Sequence, residues 1–315
     1  MYSALLRLIT ILRAKLLGRP LALCDISDLD GIACAALFKK RYPEGLVVLA
    51  SPSEVQKGRL LKLVNWTFVA DLPCPGKALI RADHHASNKP CAQQEFYDPA
   101  APAAASLAVK ALGLDHNPFA RKVVELAVET DTTRIVSAEA LALNDAVKGS
   151  GYRGKLRLID LLASRSLEEV LADAGVRASI ERYRKVRRST EELAERLPPN
   201  EFFIAVFKDD LKLSYRYLCI LIERRGARVT ALIVPKGLAS LRIYLGSASR
   251  DYDVSKVAAK FGGGGHPYAA GATVKSLRRG FAVRRILGEL ADFLGVEKLG
   301  YLLISREGIE ERLWP

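Results

Sequence analysis

The chain has 315 residues, half of them apolar, which is enough to bury more than one hydrophobic core, so two domains are expected. The net charge of +13 favours a polyanionic partner such as nucleic acid, although a basic surface rich in ion pairs also serves solubility or thermostability. Beyond the N-terminal segment no stretch is long and apolar enough to span a membrane, so no membrane protein is predicted.

The N-terminal residues 1–17 are apolar, but Arg7, Arg13 and Lys15 interrupt them and no small-residue cleavage site follows. We therefore predict an amphipathic helix that packs on the first domain, rather than a signal peptide or an anchor.

The five cysteines, at positions 24, 34, 74, 91 and 219, form neither a CxxC pair nor a zinc-binding spacing. Their odd number and the apolar runs around several of them favour reduced, buried thiols in an intracellular protein.

From residue 21 onward, apolar runs of strand length alternate with helical patterns, which is typical of βαβ units and a parallel sheet. Strands are predicted at 21–26, 45–50, 66–72 and 77–85. Helices are predicted at 32–40, 53–64, 100–113, 119–130 and 137–148.

Three of these strands end in ionisable residues, and ligands of open α/β sheets bind at the carboxyl ends of the strands. The residues are Asp28 with Asp30, then Asp71, and then the triplet Asp83-His84-His85. Carboxylate oxygens suit Mg²⁺ and Mn²⁺, and added imidazole shifts the preference towards Mn²⁺. A site for two metal ions is therefore predicted, although a His-His pair by itself is as often structural.

A fourth carboxylate, Asp131, follows the helix predicted at 119–130 and would reach the same edge. Taken alone, an Asp at a helix end is more often a turn residue, so its inclusion depends on the other motifs.

With these residues the chain resembles the DHH phosphoesterase family, in its form with a C-terminal DHHA1 domain. The matching motifs, in order, are Asp28-Leu29-Asp30-Gly31, Asp71, Asp83-His84-His85, Asp131, and the glycine-rich residues 262–271. Each motif is short, but five in the same order at sensible spacing are specific. Within the family, the chain is similar to RecJ-like exonucleases and archaeal DHH nucleases.

The resemblance implies an N-terminal DHH domain with a mainly parallel sheet and a smaller α/β DHHA1 domain, with a cleft between them that closes over the substrate. We expect the DHH domain at 1–165, a helical connector at 166–199 and the DHHA1 domain at 200–315. A charged helical segment at 166–197, ended by Pro198 and Pro199, marks the connector. Its basic run either tracks a phosphodiester backbone or is a solvated helix face.

After Pro199 a second α/β unit is predicted, with strands at 201–207, 227–234, 240–246 and 298–304 and helices at 214–225, 254–261 and 280–294. Four successive glycines before His266 allow the backbone to approach a ligand and point N–H groups at an anion, or form a flexible loop. Arg250 is a further candidate for holding phosphate. The predicted substrate-binding residues are Arg250, Gly263, Gly264, Gly265 and His266.

The resemblance also implies roles for the residues of the first domain. Asp28 would bind one metal ion and Asp71 would bridge two, with Asp30, His84 and Asp131 on the second. The candidate catalytic residues are His85, which would hold the phosphate or stabilise the transition state, and Asp83, which would orient an imidazole. The expected cofactor is a pair of Mn²⁺ ions, with Mg²⁺ as the alternative.

One position departs from the family pattern. Members usually have a further His or Asp two or four residues before the first aspartate, where this chain has Ile26 and Cys24. Asp25 lies between them at an offset of three. Asp25 or Cys24 completes the first metal site, or that site is open to water, so neither residue is among the predicted ligands.

Three functions are compatible with the sequence. The first is a metal-dependent exonuclease on single-stranded DNA or RNA, which the positive charge favours. The second is a nanoRNase or a small-nucleotide phosphatase for pAp or cyclic dinucleotides, which the compact size favours. The third is a non-catalytic replication or repair scaffold, which the retained ligands disfavour.

A cytoplasmic location is expected, with a homodimer or a replication or repair protein as a further partner.

Overall fold

The structure is a computed structural model that describes residues 2–132 and 134–315, the side chain of Tyr2 excepted. Met1, the first residue of the predicted N-terminal helix, lies outside the described residues. The chain divides into two compact units, Met1–Arg184 and Lys185–Pro315. Each unit contains helices packed on a sheet, and the first sheet is parallel throughout its described strands, as predicted.

The elements of the first unit alternate along the chain. Its strands are β1 (Leu21–Asp25), β2 (Leu46–Ala50), β3 (Asn65–Ala70), β4 (Lys77–Asp83) and β5 (Ala92–Tyr97). Its helices are α1 (Tyr2–Leu17), α2 (Leu29–Arg41), α3 (Pro52–Lys57), α4 (Ala104–Ala111), α5 (Pro118–Asp131), α6 (Ala138–Gly149), α7 (Tyr152–Ser164), α8 (Leu167–Ala172) and the first part of α9 (Ala174–Arg196).

The first sheet has the strand order β2-β1-β3-β4-β5. Strands β1, β2 and β3 are mainly apolar because both faces of the sheet are covered there. On one face Ala22 and Cys24 of β1 pack with α2 and with helices α4 to α7, whereas Leu21 and Leu23 face the opposite side with α1. The chain leaves β1 towards β2 and returns to β3 on the other side, so the strand order reverses between β1 and β3.

Helix α1 packs on the first unit, as predicted. Ile11 and Ala14 are buried beneath it, and Arg7 donates from Nε to Leu49 O and forms an ion pair with Glu54. Within the described residues, none of the helices is both long and apolar enough to cross a bilayer.

The second unit has a mixed sheet of order β12-β11-β6-β7-β8-β10-β9. Its strands are β6 (Phe202–Phe207), β7 (Val229–Pro235), β8 (Ser240–Ser247), β9 (Gly264–His266), β10 (Ala269–Lys275), β11 (Leu299–Ile304) and β12 (Ile309–Trp314). Its helices are α10 (Tyr215–Arg224), α11 (Val254–Lys260) and α12 (Arg279–Leu294).

Several strands were not predicted because their residues lack a strand pattern. Strands β5 and β12 are polar edge strands, and the glycine- and alanine-rich β10 has little β-propensity of its own. Helix α7 was also missed. The helix predicted at 53–64 is instead α3 followed by a 3₁₀ turn at Leu61–Leu63, because Gly58 ends α3.

The prediction of five reduced thiols is wrong for two of them. Cys74 and Cys91 form a disulfide, whereas Cys24, Cys34 and Cys219 are buried free thiols. Cys74 lies in the segment that returns from β3 to β4, and Cys91 ends the segment that returns from β4 to β5. The sequence could not reveal this pairing, because a disulfide depends on the distance between Cα atoms rather than on cysteine spacing.

We expect the disulfide to stabilise the first unit by about 3 kcal/mol, because it closes a loop over a sequence separation of 17 residues. Urea unfolding with and without a reductant should show this loss for the native protein. The double variant Cys74→Ser/Cys91→Ser should start from the lower stability and not respond to the reductant. An equal midpoint for the native protein in both conditions, with Cys74 shown to be alkylated after reduction, contradicts the prediction.

Candidate metal centre

The predicted metal-binding residues, together with Asp25 and the candidate catalytic residue Asp83, lie at the carboxyl-terminal edge of the parallel sheet, around the point where the strand order reverses. Asp25 ends β1, Asp28 is the N-cap of α2, and Asp71 directly follows β3. Asp83 ends β4, and Asp131 is the last residue of α5. Such a reversal opens a crevice between neighbouring strand ends, which is where open α/β sheets bind ligands.

The side chains form three overlapping groups. Within each group the potential ligand atoms lie within 4.8 Å of one another. The groups are Asp25, Asp28 and Asp71; Asp71, His84 and His85; and Asp30, His84 and Asp131. Because Asp71 belongs to two groups and His84 to two, the groups form one continuous cluster with room for more than one cation position.

The imidazole of His84 is oriented for metal ligation. Its Nδ1 lies 3.1 Å from the carbonyl oxygen of Ala101 and donates to it, which leaves the lone pair on Nε2. Nε2 is 3.6 Å from Asp131 Oδ2 and 3.9 Å from both Asp30 Oδ2 and Asp71 Oδ1. These separations exceed hydrogen-bond length and suit two groups that share a cation.

Asp71 has an unusual backbone conformation. Its φ is +58°, a left-handed value that is uncommon outside glycine and is tolerated best by Asn and Asp. Its N–H donates to Ala82 O on the neighbouring strand β4, at 3.0 Å, and its side chain is buried. Residues held in such conformations cluster at functional sites, where the surrounding structure imposes them.

Helix N-termini hold two further carboxylates. Both oxygens of Asp30 accept backbone hydrogen bonds at the start of α4, from Ala104 at 2.7 Å and Ala105 at 2.8 Å. Asp28 caps α2 by accepting from the N–H groups of Asp30 and Gly31. The positive end of each helix dipole favours the charged carboxylate.

Gly31 is required by the close approach of α2 to the end of β1. A Cβ at this position would lie 2.4 Å from the carbonyl oxygen of Asp25, a backbone atom that cannot give way. The glycine of the first motif therefore lets Asp28, Asp30 and Asp25 converge.

Asp83 belongs to none of the ligand groups and instead positions His85. Its Oδ1 accepts from His85 Nδ1 at 3.0 Å, and its Oδ2 accepts from Asn88 Nδ2 at 2.7 Å and pairs with Arg81. Arg81 is fully buried and also donates to Leu72 O and to Glu95 Oε2. This network connects the segment after Asp71 with β4 and β5.

The pKa shifts reflect the burial and crowding of the carboxylates in the cluster. Burial, followed by the charge of Asp28, raises the pKa of Asp25 to about 7. Burial and neighbouring carboxylates also raise the pKa of Asp30, Asp71 and Asp131. The hydrogen bond to Asp83 raises the pKa of His85. Oxygen-rich ligands with an imidazole and uncompensated negative charge fit Mn²⁺ or Mg²⁺.

Asp25 was left out of the predicted ligands, and the structure places it in one group with Asp28 and Asp71. Cys24 belongs to no such group, and burial raises the pKa of its thiol. The sequence shows that an Asp ends an apolar strand. It does not show which of the adjacent residues, Cys24 or Asp25, faces the cluster. Lys155 was also missed; it donates from Nζ to Ile26 O, and burial lowers its pKa although Asp25 and Asp28 oppose this.

The glycine-rich residues of the second unit form a hairpin rather than an open loop. Strand β9 pairs with β10 around Pro267 and Tyr268. Cβ atoms at Gly263 and Gly265 would lie 2.2 Å from Gly271 O and 2.4 Å from Ala269 O, so these glycines allow the strands to pack.

The other predicted substrate-binding residues lie around this hairpin. The ring of His266 stacks on Tyr268, with centroids 5.2 Å apart. Ser247 and Val254 donate backbone hydrogen bonds to Tyr268 O and Pro267 O, and the exposed Arg250 lies in the loop between Ser247 and Val254.

The fold and the cluster together define an α/β protein with an acidic, imidazole-containing cluster, a candidate metal centre, at the switch point of a parallel sheet. The DHHA1 domain family matches residues 205–295. No match to the chain is found among curated protein sequences. The second unit therefore contains a DHHA1 domain, as predicted, and the motifs of the first unit resemble those of DHH phosphoesterases.

Solved structures share the fold at low sequence identity. The pGpG-specific phosphodiesterase PggH of Vibrio cholerae is 20% identical with a TM-score of 0.63, covering 87% of this chain and 99% of that one. RecJ of Thermus thermophilus, in complex with Mn²⁺, is 12% identical with a TM-score of 0.61, covering 96% of this chain. This chain spans 56% of that RecJ chain. An exopolyphosphatase-related protein of Bacteroides fragilis is 12% identical, with a TM-score of 0.54, covering 87% of this chain and 91% of that one.

Asp71→Asn should stabilise the metal-free protein at neutral pH. Because the folded-state pKa of Asp71 is raised, its stabilising contribution is present at acid pH and is lost as the pH rises through that pKa. Asn keeps the left-handed backbone without the charge. With EDTA at pH 8 we expect a gain on the order of 1–3 kcal/mol over the native protein, shrinking at pH 5.

Added Mn²⁺ should raise the unfolding temperature of the native protein much more than that of Asp71→Asn. A metal ion stabilises the folded state in proportion to its binding, and Asp71→Asn removes one of the carboxylates that would bind the ion. Asp115→Asn, at a half-buried carboxylate outside the cluster, serves as the control and should behave as the native protein in both solutions. A metal-free Asp71→Asn protein that is less stable than the native one at pH 8 would show that the carboxylate repulsion is compensated elsewhere.

Gly31→Ala should disturb the same cluster sterically. The clash with Asp25 O must displace α2 from β1, with a loss of roughly 1–3 kcal/mol of stability and a weaker response to Mn²⁺. Gly288→Ala in α12 has open space around the new methyl group and is the matched control. Calorimetry of both variants tests this, and an unchanged Mn²⁺ affinity in Gly31→Ala would contradict it.

Proposed function

We propose that the protein is a metal-dependent phosphodiesterase that hydrolyses single-stranded nucleic acid from an end, as RecJ-like exonucleases do. The observation that supports this most directly is the overlap of the ligand groups at Asp71 and His84. A cluster in which one carboxylate belongs to adjacent groups is suited to two cations held a few ångströms apart.

Each residue of the cluster then has a role. Asp25, Asp28 and Asp71 would hold one cation, and Asp30, His84 and Asp131 the other, with Asp71 reaching both. Bound cations of this kind would lower the pKa of a water molecule and would neutralise negative charge on phosphate oxygens. Mn²⁺ is the proposed ion, and Mg²⁺ suits the same oxygen ligands.

His85 is proposed to contact the reacting phosphate. Asp83 accepts a hydrogen bond from Nδ1 of His85, which orients the ring, and a protonated Nε2 would donate to a phosphate oxygen. Such a donor stabilises negative charge that develops in the transition state. In the second unit, Arg250 and His266 are proposed to bind substrate phosphates, together with the backbone of Gly263, Gly264 and Gly265.

The polymer substrate is supported by the net charge of +13, since phosphate contacts dominate the affinity for nucleic acid. A second candidate substrate, a dinucleotide or a very short oligonucleotide, is supported by the likeness in fold to the pGpG-specific phosphodiesterase, at a TM-score of 0.63. Either substrate is consistent with the proposed cytoplasmic location, and a disulfide in that compartment fits a hyperthermophilic source.

Hydrolysis of a 5′-labelled ladder of single-stranded DNA and RNA, from two to about thirty nucleotides, distinguishes these substrates. For the exonuclease we expect Mn²⁺-dependent shortening of long strands that falls steeply with salt. Cleavage confined to the shortest strands would assign the dinucleotide substrate instead.

His84→Ala should abolish the activity, since it removes a ligand common to two groups, whereas His116→Ala, a fully exposed histidine, is the control. No cleavage of any strand, by a native protein that binds Mn²⁺, would reject the proposed function.

A further inference from the structure

The outward face of α1 has an apolar stripe that the fold does not cover. Leu5, Ile9, Leu12 and Leu16 are 56%, 50%, 56% and 86% exposed. Single exposed apolar residues are ordinary, but a contiguous apolar patch of more than a few hundred Å² marks an interaction site.

The spacing of the stripe is that of a coiled-coil seam. The four residues are separated by four, three and four positions, which is the a/d pattern of a heptad. Leu8, 36% exposed, borders this seam at a g position, and Leu17, 50% exposed, lies outside it. The a/d seam itself has the spacing into which a second helix packs. Arg13 and Lys15, both exposed, flank the stripe on its two sides.

The helix is held firmly from its inner face, so the stripe is a fixed surface. Ile11 and Ala14 are buried in the core with β1 and β2. Arg7 donates to Leu49 O at 2.7 Å, and both its terminal nitrogens bond to Glu54. The outward stripe therefore has no packing role within the first unit.

We propose that the stripe is a dimer interface, in which α1 pairs with α1 of a second copy of this chain in an antiparallel arrangement. A two-fold axis would place Leu5 against Leu16 of the second copy and Ile9 against Leu12, so the stripe is complementary to itself. This inference is independent of the proposed phosphodiesterase activity.

Charge selects the antiparallel direction. Arg13, Lys15 and Arg19 all lie in or just after the C-terminal half of α1. A parallel pair would bring both sets of cations together, whereas the antiparallel pair separates them to opposite ends and opposes the helix dipoles favourably. Two such stripes would bury roughly 900 Å², below the usual range for specific interfaces, so a dimer of no more than moderate affinity is expected.

Light scattering after size exclusion, at roughly 1 to 100 µM protein, tests the dimer over the range where moderate affinities dissociate. The native protein should shift from monomer to dimer, and Ile9→Lys/Leu12→Lys should stay monomeric at every concentration. Leu238→Lys, at a residue 90% exposed in the second unit, is the control and should dimerise as the native protein does. Circular dichroism confirms that each variant is folded.

Cysteine cross-linking tests the direction. A mixture of Ile9→Cys and Leu12→Cys proteins should form heterodimeric cross-links far faster than either variant alone, because the antiparallel pair puts position 9 opposite position 12. Preferential cross-linking of each variant with itself overturns the antiparallel arrangement.

A native protein that stays monomeric at the highest concentration overturns the proposal, as does a dimer that persists in Ile9→Lys/Leu12→Lys. Sedimentation with phosphatidylserine vesicles completes the test. A monomer that sediments with the vesicles, and no longer does so as Ile9→Lys/Leu12→Lys, would assign the stripe to a lipid surface instead.

Discussion

The structure of the first unit depends on placing several carboxylates together where water cannot solvate them. Asp25, Asp30 and Asp71 are each at most 5% exposed and lie near one another's charge. Burial disfavours each charge, and neighbouring like charges add to the cost. The fold tolerates this because backbone N–H groups satisfy the oxygens, as Ala104 and Ala105 do for Asp30. Stability is thus sacrificed at a cluster whose charge a divalent cation would compensate.

The buried guanidinium of Arg81 lies beside the cluster rather than within it. Arg81 pairs with Asp83 and Glu95, and it also donates to Leu72 O directly after Asp71. Glu95 in turn accepts from the N–H groups of Cys91 and Ala92. The disulfide joins the same two return segments. Arg81, Glu95 and the disulfide therefore fix the loops that contain Asp71 and His85. None of these contacts uses the oxygens that would bind a cation.

The sequence predicts most of this region because its signals are local. Uniform apolar runs predict β1, β3 and β4, and polar residues at their ends predict which edge contains the site. The sequence could not choose between Asp25 and Cys24, since that choice depends on which side of the strand end each side chain occupies. The bond from His84 Nδ1 to Ala101 O and the Cys74–Cys91 disulfide depend on tertiary contacts, and the polar β5 depends on its neighbour β4.

The two faces of the parallel sheet have different tasks. Helices α2 and α4 cover one face, and their N-termini hold Asp28 and Asp30. Helix α1 covers the opposite face and contributes no ligand to the cluster. Pairing through α1 would therefore leave the helices that support the metal centre uncovered. Because the ligands lie at the strand ends and the stripe lies on the far side of α1, association and metal binding can vary independently.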